Sequence, residues 1–220
     1  MRAALRGIPQ PLETGATGSA RAAGCVTSAM ILYFCPELGD WTRAKARKHG
    51  STMRMDKRCL TLIASVTERG GIGYENRLLF RIRDDLQRFK ALTMGHYVLM
   101  GRRTYESLTR PLEGRTLVVL THDENYHPAA SEGVLVATDL QAALAMCPEG
   151  EIFVAGGAQL YEQTIGMAQR LLITRIAATR QADAYFPPID ESVWRVLEVP
   201  GWEVSPQGVC YRFEEYRRKA

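Results

Sequence analysis

This sequence of 220 residues lacks any stretch approaching the eighteen or more apolar residues of a membrane-spanning helix. No membrane partner is therefore expected. It also lacks a C-x-x-C pair: Cys25, Cys35, Cys59, Cys147 and Cys210 are scattered and odd in number. That argues against a metal site and a disulfide framework, and fits small buried hydrophobes in a reducing, cytoplasmic compartment. A third absence is the G-x-G-x-x-G fingerprint, without which an ordinary Rossmann domain is not indicated. No internal repeat is visible either.

An even spread of charge is missing too. Residues 1–58 carry ten Lys and Arg against four Asp and Glu, and the other 162 carry eighteen against twenty. The basic character belongs to the first segment, so a nucleic-acid partner for the whole chain has little support. That segment reads unlike the rest. "GIPQPLETGATGSARAAG" is small, polar and turn-rich; "CVTSAMILYFC" is a short apolar burst; "RAKARKHGSTMRMDKR" is basic. A secretory signal would place its charges before the burst and a small-residue cleavage site after it, and here Pro-Glu follows. Residues 1–58 are expected to be a weakly ordered extension, or to precede a true start at Met53 or Met55. Residues 59–220 are expected to form one domain.

From Cys59 the pattern is strong. The runs "CLTLIASV", "YVLMG", "RTLVVLT", "GVLVA", "EIFVAG", "RLLITRIAA", "VWRVLEV" and "GVCYRFEEYRR" read as eight strands. "RDDLQRFKALT", "RRTYESL", "DLQAALAMC" and "GAQLYEQTIG" read as four helices, and "TERGGIGYENRLLF" as a long loop. Strand–helix alternation followed by consecutive strands implies an α/β fold: one domain, a mostly parallel mixed sheet, and an antiparallel C-terminal strand.

Two buried strands run straight into glycine and then a helix, at "YVLMGRRTYES" and "EIFVAGGAQLYEQ". Ligands of open α/β sheets sit at such carboxyl ends, where helix N-termini offer N–H groups. Gly101 with Arg102, Arg103 and Thr104 suits a phosphate monoester, and Gly156-Gly157 lets backbone approach a flat or diphosphate group. Each glycine could equally serve tight strand–helix packing. Two such ends in one sheet favour a large anionic ligand such as a phosphorylated dinucleotide.

The helix "RDDLQRFKALT" sets two acids side by side, about 100° apart around the axis. Asp84 lies four before Arg88, a surface ion-pair spacing. Asp85 lies four before Phe89, with Leu86 and Leu92 near the same side. A carboxylate on an apolar stripe needs a partner. A ligand with paired N–H donors is one candidate; nearby backbone N–H groups at the helix start are the other.

"LIASV", "GIGYENRLL", "DLQRFKALT", "VLMGRRTYESL", "RPLEGRTLVVLT", "IFVAGGAQLYEQ" and "ADAYFP", in this order across residues 60–217, resemble the dihydrofolate reductase family. The resemblance implies hydride transfer from NADPH to C6 of dihydrofolate, with protonation at N5; the lack of a sustained heptad or long exposed apolar patch leads to the expectation of a monomer. It implies that Asp85 holds the 2-amino group and N3 of the pterin and organises the proton, with Thr174 supporting it. Ile63, Leu86, Phe89 and Leu108 would wall the substrate, and Arg115 would clamp its glutamate α-carboxylate. "GGIGYENRLL" would be a mobile lid over the nicotinamide, with Ile72 and Leu78 nearest and Phe80 just beyond. Ala64 would offer backbone to the nicotinamide amide, and Tyr161 would sit near its ring. Gly101, Arg102, Arg103, Thr104, Thr121 and His122 would line the phosphate and 2′-phosphate sites. Gly156, Gly157, Ala158 and Gln159 would cradle the pyrophosphate, with a cis peptide at Gly156-Gly157.

Two departures stand out. The family's Pro-Trp before the helix is Leu79-Phe80 here, so an N–H donor beside the substrate is missing. Arg83 replaces the proline at the helix start. The competing readings are a pyrimidine reductase of the same fold, which gives no reason for Asp85 or Arg115, and a non-catalytic nucleotide- or polyanion-binding module.

Overall fold

The computed structural model describes residues 58–128 and 133–219. The expectation of weak structure before residue 58 lies outside the described residues, except that Arg58 itself opens the first strand.

Along the chain run β1 (Arg58–Thr67), β2 (Gly71–Tyr74), β3 (Arg77–Leu78), α1 (Arg83–Thr93), β4 (Tyr97–Gly101), α2 (Arg102–Glu106), β5 (Thr116–Leu120) and β6 (Val134–Ala137). There follow α3 (Leu140–Ala145), β7 (Gly150–Val154), α4 (Ala158–Ile165), β8 (Arg170–Ile176), β9 (Ala184–Tyr185), β10 (Trp194–Glu198), β11 (Glu203–Val204) and β12 (Cys210–Arg218). The main sheet runs β10-β12-β8-β1-β7-β4-β5-β6, with β11 added beside β12. Its six strands from β8 to β6 are parallel, and β12 lies antiparallel to both β8 and β10. The eight expected strands form this path, and β11 is a short addition to it.

Parallel strands covered on both faces read as continuous apolar runs. Leu62, Val98, Leu99, Val118, Val119, Val154, Leu171 and Ile173 are all fully buried. One apolar cluster centres on Leu62, Leu99, Val118, Val154 and Ile173; another, on Ile63, Val98, Met100, Phe153 and Leu172. Alternate residues of each strand feed opposite faces, so one run supplies both clusters.

The stretch expected as a long loop instead holds β2 and β3 of a second, small sheet, β3-β2-β9. Glu75 and Asn76 turn between β2 and β3 with φ of 47° and 59°, the left-handed pair a two-residue hairpin needs. These strands are two to four residues long, and β2 is half glycine, so no alternation could announce them.

Where β12 crosses β8, Glu214 is buried with four donors. Oε1 accepts from Arg212 Nε (2.7 Å), and Oε2 from Tyr216 Oη (2.7 Å) and Arg175 Nε (3.2 Å). Arg212 Nη2 lies 2.6 Å from Oε1. Burial by itself would raise this carboxyl's pKa, but the Tyr216 hydroxyl and the two guanidinium groups outweigh it and hold the value low.

Candidate active site

Helix α1 follows Ile82, which is buried against Leu79, Phe80, Ile176 and Tyr211 and so fixes how the helix leaves the sheet. That orientation separates the two acids. Asp85 accepts hydrogen bonds from Ser65 Oγ at Oδ2 (2.6 Å) and from Thr174 Oγ1 at Oδ1 (2.5 Å). Ser65 and Thr174 face each other in the β1–β8 register, so two neighbouring central strands present paired hydroxyls to one carboxylate. One bond to each oxygen fixes the plane of the group and leaves lone pairs for further donors.

Asp84 does not pair with Arg88. It is half-buried, and its Oδ2 accepts from the buried Tyr211 hydroxyl (2.7 Å), which also lies 3.0 Å from Glu203. Burial, first, and then the two acids raise the Tyr211 pKa. Arg88 stacks instead over Phe213, its Cζ 4.5 Å from the ring centre. Burial lowers its pKa, and the acids that partly offset this are Asp85 and, less, Glu215. The i,i+4 spacing lost because Tyr211 offers a directed, buried donor, whereas an exposed ion pair gains little.

Ile63, Phe89 and Leu108 pack about one apolar cluster, on the side of the sheet that α1 covers. Leu86, on the same helix, is 37% exposed. Arg115 reaches over the Phe89 ring at 6.0 Å. Its Nε lies 3.3 Å and 3.2 Å from the carbonyls of Leu112 and Glu113, and its Nη1 donates to Thr93 Oγ1 (3.4 Å). Partial burial lowers its pKa. It borders a groove of about 1100 Å³ with Leu108, Arg110, Leu112 and His127.

The two glycine turns lie side by side: Gly101 N–H donates to the Gly156 carbonyl (2.8 Å). Together with the end of β5 they floor a second cleft of about 970 Å³. Gly101, Arg102, Arg103, Thr104, Thr121, His122, Gly157, Ala158 and Gln159 all line it. The Gly156-Gly157 peptide is cis, as the resemblance implied. Gly156 has φ of 108°, and a side chain on Gly157 would press on Thr104 Oγ1 at 3.2 Å. Bare backbone beside two arginines and a histidine is the lining a phosphorylated dinucleotide requires. Tyr161 is buried behind this floor and donates to the Ile63 carbonyl (2.6 Å). Burial, then the nearby Asp85 charge, raises its pKa strongly. Ala64 and Ile72 share its apolar cluster.

The small sheet rests against this cleft. Asn76 Nδ2 donates to the Arg103 carbonyl (2.7 Å), Asp183 Oδ2 accepts from Glu75 N–H (2.8 Å), and Asp183 N–H donates to the Gly73 carbonyl (3.1 Å). Leu78 is 52% exposed on β3. Phe80 is buried beside Leu79 and Tyr211, outside the Phe89 cluster. Arg180 covers it: Cζ stands 4.2 Å from the Phe80 ring centre, and Nη1 donates to the Leu79 carbonyl (2.7 Å). Arg180 thus fastens the segment that leads from β3 into α1, where the resemblance implies a Pro-Trp. Arg180→Ala is expected to lower steady-state turnover efficiency about tenfold while costing under about 1 kcal/mol in thermal unfolding. Arg180→Lys, which keeps the cation, should recover part of the rate; an unchanged rate in the alanine variant would remove this role.

Sequence reading missed Ser65, Asn76, Asp183 and Arg180. Only Ser65 left a signal, as a hydroxyl of the same strand parity as Ile63 inside "LIASV". The others act through contacts between loops.

The dihydrofolate reductase family model matches residues 59–218. The dihydrofolate reductase of Neisseria meningitidis serogroup A is 40% identical over 161 residues, which span 72% of this chain and 98% of that one. That of Bacillus subtilis is 37% identical over 151 residues, spanning 67% of this chain and 88% of that one. Among solved structures, dihydrofolate reductase from Enterococcus faecalis complexed with NADP(H) and RAB-propyl is similar with a TM-score of 0.66. It has 34% identity, and the match covers 75% of this chain and 98% of that one.

Proposed function

The chain belongs to the dihydrofolate reductase family, and from that premise we propose how its residues reduce 7,8-dihydrofolate to tetrahydrofolate. NADPH, when bound, supplies the hydride for C6. The observation that carries the reading is the half-buried Asp85 carboxylate, held by Ser65 and Thr174 with accepting capacity to spare. Its free lone pairs match the 2-amino group and N3–H of a pterin, a donor pair of the right spacing for one carboxylate. Fixed by two hydroxyls, it orients the ring and organises the proton delivered to N5. Ile63, Phe89 and Leu108 exclude water around the ring and the aminobenzoyl group.

Arg115, tethered by the carbonyls of its own turn, presents its remaining N–H groups to the α-carboxylate of the substrate's tail. Arg102, Arg103, Thr104 and His122 hold the cofactor's phosphates, with Thr121 shaping the wall, while Gly101 and residues 156–159 admit the pyrophosphate. The small sheet closes over the nicotinamide side, bringing Ile72 and Leu78. We place the protein in the cytoplasm as a monomer; among the described residues no helix is long and apolar enough to cross a membrane.

The test separates ring from tail. Arg115→Leu is expected to raise KM for dihydrofolate about 30-fold or more with little change in kcat, because a charge-assisted bidentate contact is lost. With a dihydropterin lacking the glutamate, wild type and variant should match. An equal loss on both substrates would remove Arg115 from the tail site.

A further inference from the structure

The wall of the cofactor cleft contains an acid beside its best-placed cation. Asp123 Oδ2 accepts from Arg102 Nη1 at 3.1 Å, and Glu106 stands 4.0 Å from Arg102 Nε. The Tyr126 ring lies 5.5 Å from the same guanidinium. Asp123 is held in place on its other oxygen as well, since Oδ1 accepts from Asn125 N–H (3.1 Å). Its own N–H donates to Thr121 Oγ1 (3.2 Å). The pair is open to the cleft, with the two side chains 40% and 47% exposed. Arg102, His122 and Asp123 line the same wall.

Dinucleotide sites tell their ligands apart at the adenosine ribose. An arginine accommodates a 2′-phosphate, whereas a carboxylate accepts a hydrogen bond from a free 2′-hydroxyl and repels the phosphate. Here both groups stand at one place, already paired. An incoming 2′-phosphate must take Arg102 from Asp123 and then lie beside a displaced negative charge. A free 2′-hydroxyl needs neither step. Arg103 and His122 still supply positive or donating character, so the phosphate is accepted, but against an opposing charge.

We propose that Asp123 is a specificity-determining residue that weakens the cleft's hold on the 2′-phosphorylated dinucleotide without abolishing its preference over NAD(H). The proposal rests on the reading of Arg102 as the 2′-phosphate contact. The pair's stability is modest, as for any exposed ion pair, so a ligand can exchange it. Its effect on a phosphate that contacts Arg102 comes from the like charge of the carboxylate beside that guanidinium.

The test is calorimetric titration of the folded chain with NADP⁺ and with NAD⁺, and with 2′,5′-ADP and 5′-ADP, none of which needs turnover. In the wild type NADP⁺ should bind more tightly than NAD⁺, and each variant is read against that difference. Asp123→Asn should tighten NADP⁺ and 2′,5′-ADP about five- to tenfold, leaving NAD⁺ and 5′-ADP within about threefold. Asp123→Ser, which keeps an acceptor for Asn125 N–H, should act in the same direction. If neither variant tightens NADP⁺, or if both dinucleotides shift together, the proposal is overturned. Arg102→Gln tests the underlying reading separately. It should weaken NADP⁺ and not NAD⁺, and a loss common to both would move the 2′-phosphate contact elsewhere.

Discussion

Asp85→Asn is expected to lower kcat/KM for dihydrofolate by about 10²- to 10³-fold at neutral pH, with Asp84→Asn far milder. The amide keeps the shape of the group and can still meet Ser65 and Thr174. It cannot accept two pterin N–H bonds at once, and it cannot organise a proton for N5. The residual rate should rise as pH falls, since only solvent protons remain to do that work. Asp84→Asn alters the Tyr211 contact instead, so its cost should appear in thermal unfolding, at about 1 kcal/mol. Steady-state rates across pH, with melting curves for both variants, decide the matter. Equal and mild losses of rate would end the division of labour between the two acids.

Glu214→Ala should be the most destabilising single change considered, at about 3–5 kcal/mol, because it strands Arg175 and Arg212 in a half-buried place without their shared counter-ion. For a domain of this size that is a fall in Tm of roughly 10 °C. The pH dependence has a definite sign. A carboxyl whose pKa is lower in the folded than in the unfolded state stabilises above its unfolded value, and that contribution is lost as pH falls through the folded value. Glu215, whose own burial is outweighed by Arg170 and Arg217, shifts the same way. Acid unfolding of the wild type should therefore steepen below the ordinary carboxylate range, and Glu214→Gln should flatten that limb. A wild-type acid limb indistinguishable from that of Glu214→Gln would show that the cluster contributes no pH-linked stability.

The main sheet was legible in the sequence because parallel strands buried on both faces leave unbroken apolar runs, and "YVLMG" and "EIFVAG" are long enough to stand out. Helix α1 was legible to the residue, beginning at Arg83 and ending at Thr93. Asp85 could be separated from its neighbour because helical geometry divides adjacent residues by face. What Asp84 does was misread for a physical reason. Its partner Tyr211 lies 127 residues away on β12, and local spacing carries no trace of a contact made by sheet topology. The lid was taken for a plain loop on similar grounds. Its order comes from Asp183 and Asn76 reaching across from or to other segments, while its own residues are mostly exposed or glycine. Phe80 drew attention for the donor it lacks. The more consequential neighbour is Arg180, whose position over that ring depends on how the loop after β8 returns.

The lid's fastenings have a bearing on ionic strength. Asn76 holds a backbone carbonyl, Gly73 holds a backbone N–H, and Asp183 holds the N–H of Glu75; none of these joins two opposite formal charges. Salt screens full charges at a distance far more than it weakens short bonds to backbone dipoles. Both ligands of this enzyme are polyanions that arrive at clefts bordered by arginine, so their capture feels the counter-ions in solution. If the small sheet closes over them as proposed, that step does not, and the two stages answer to different properties of the medium.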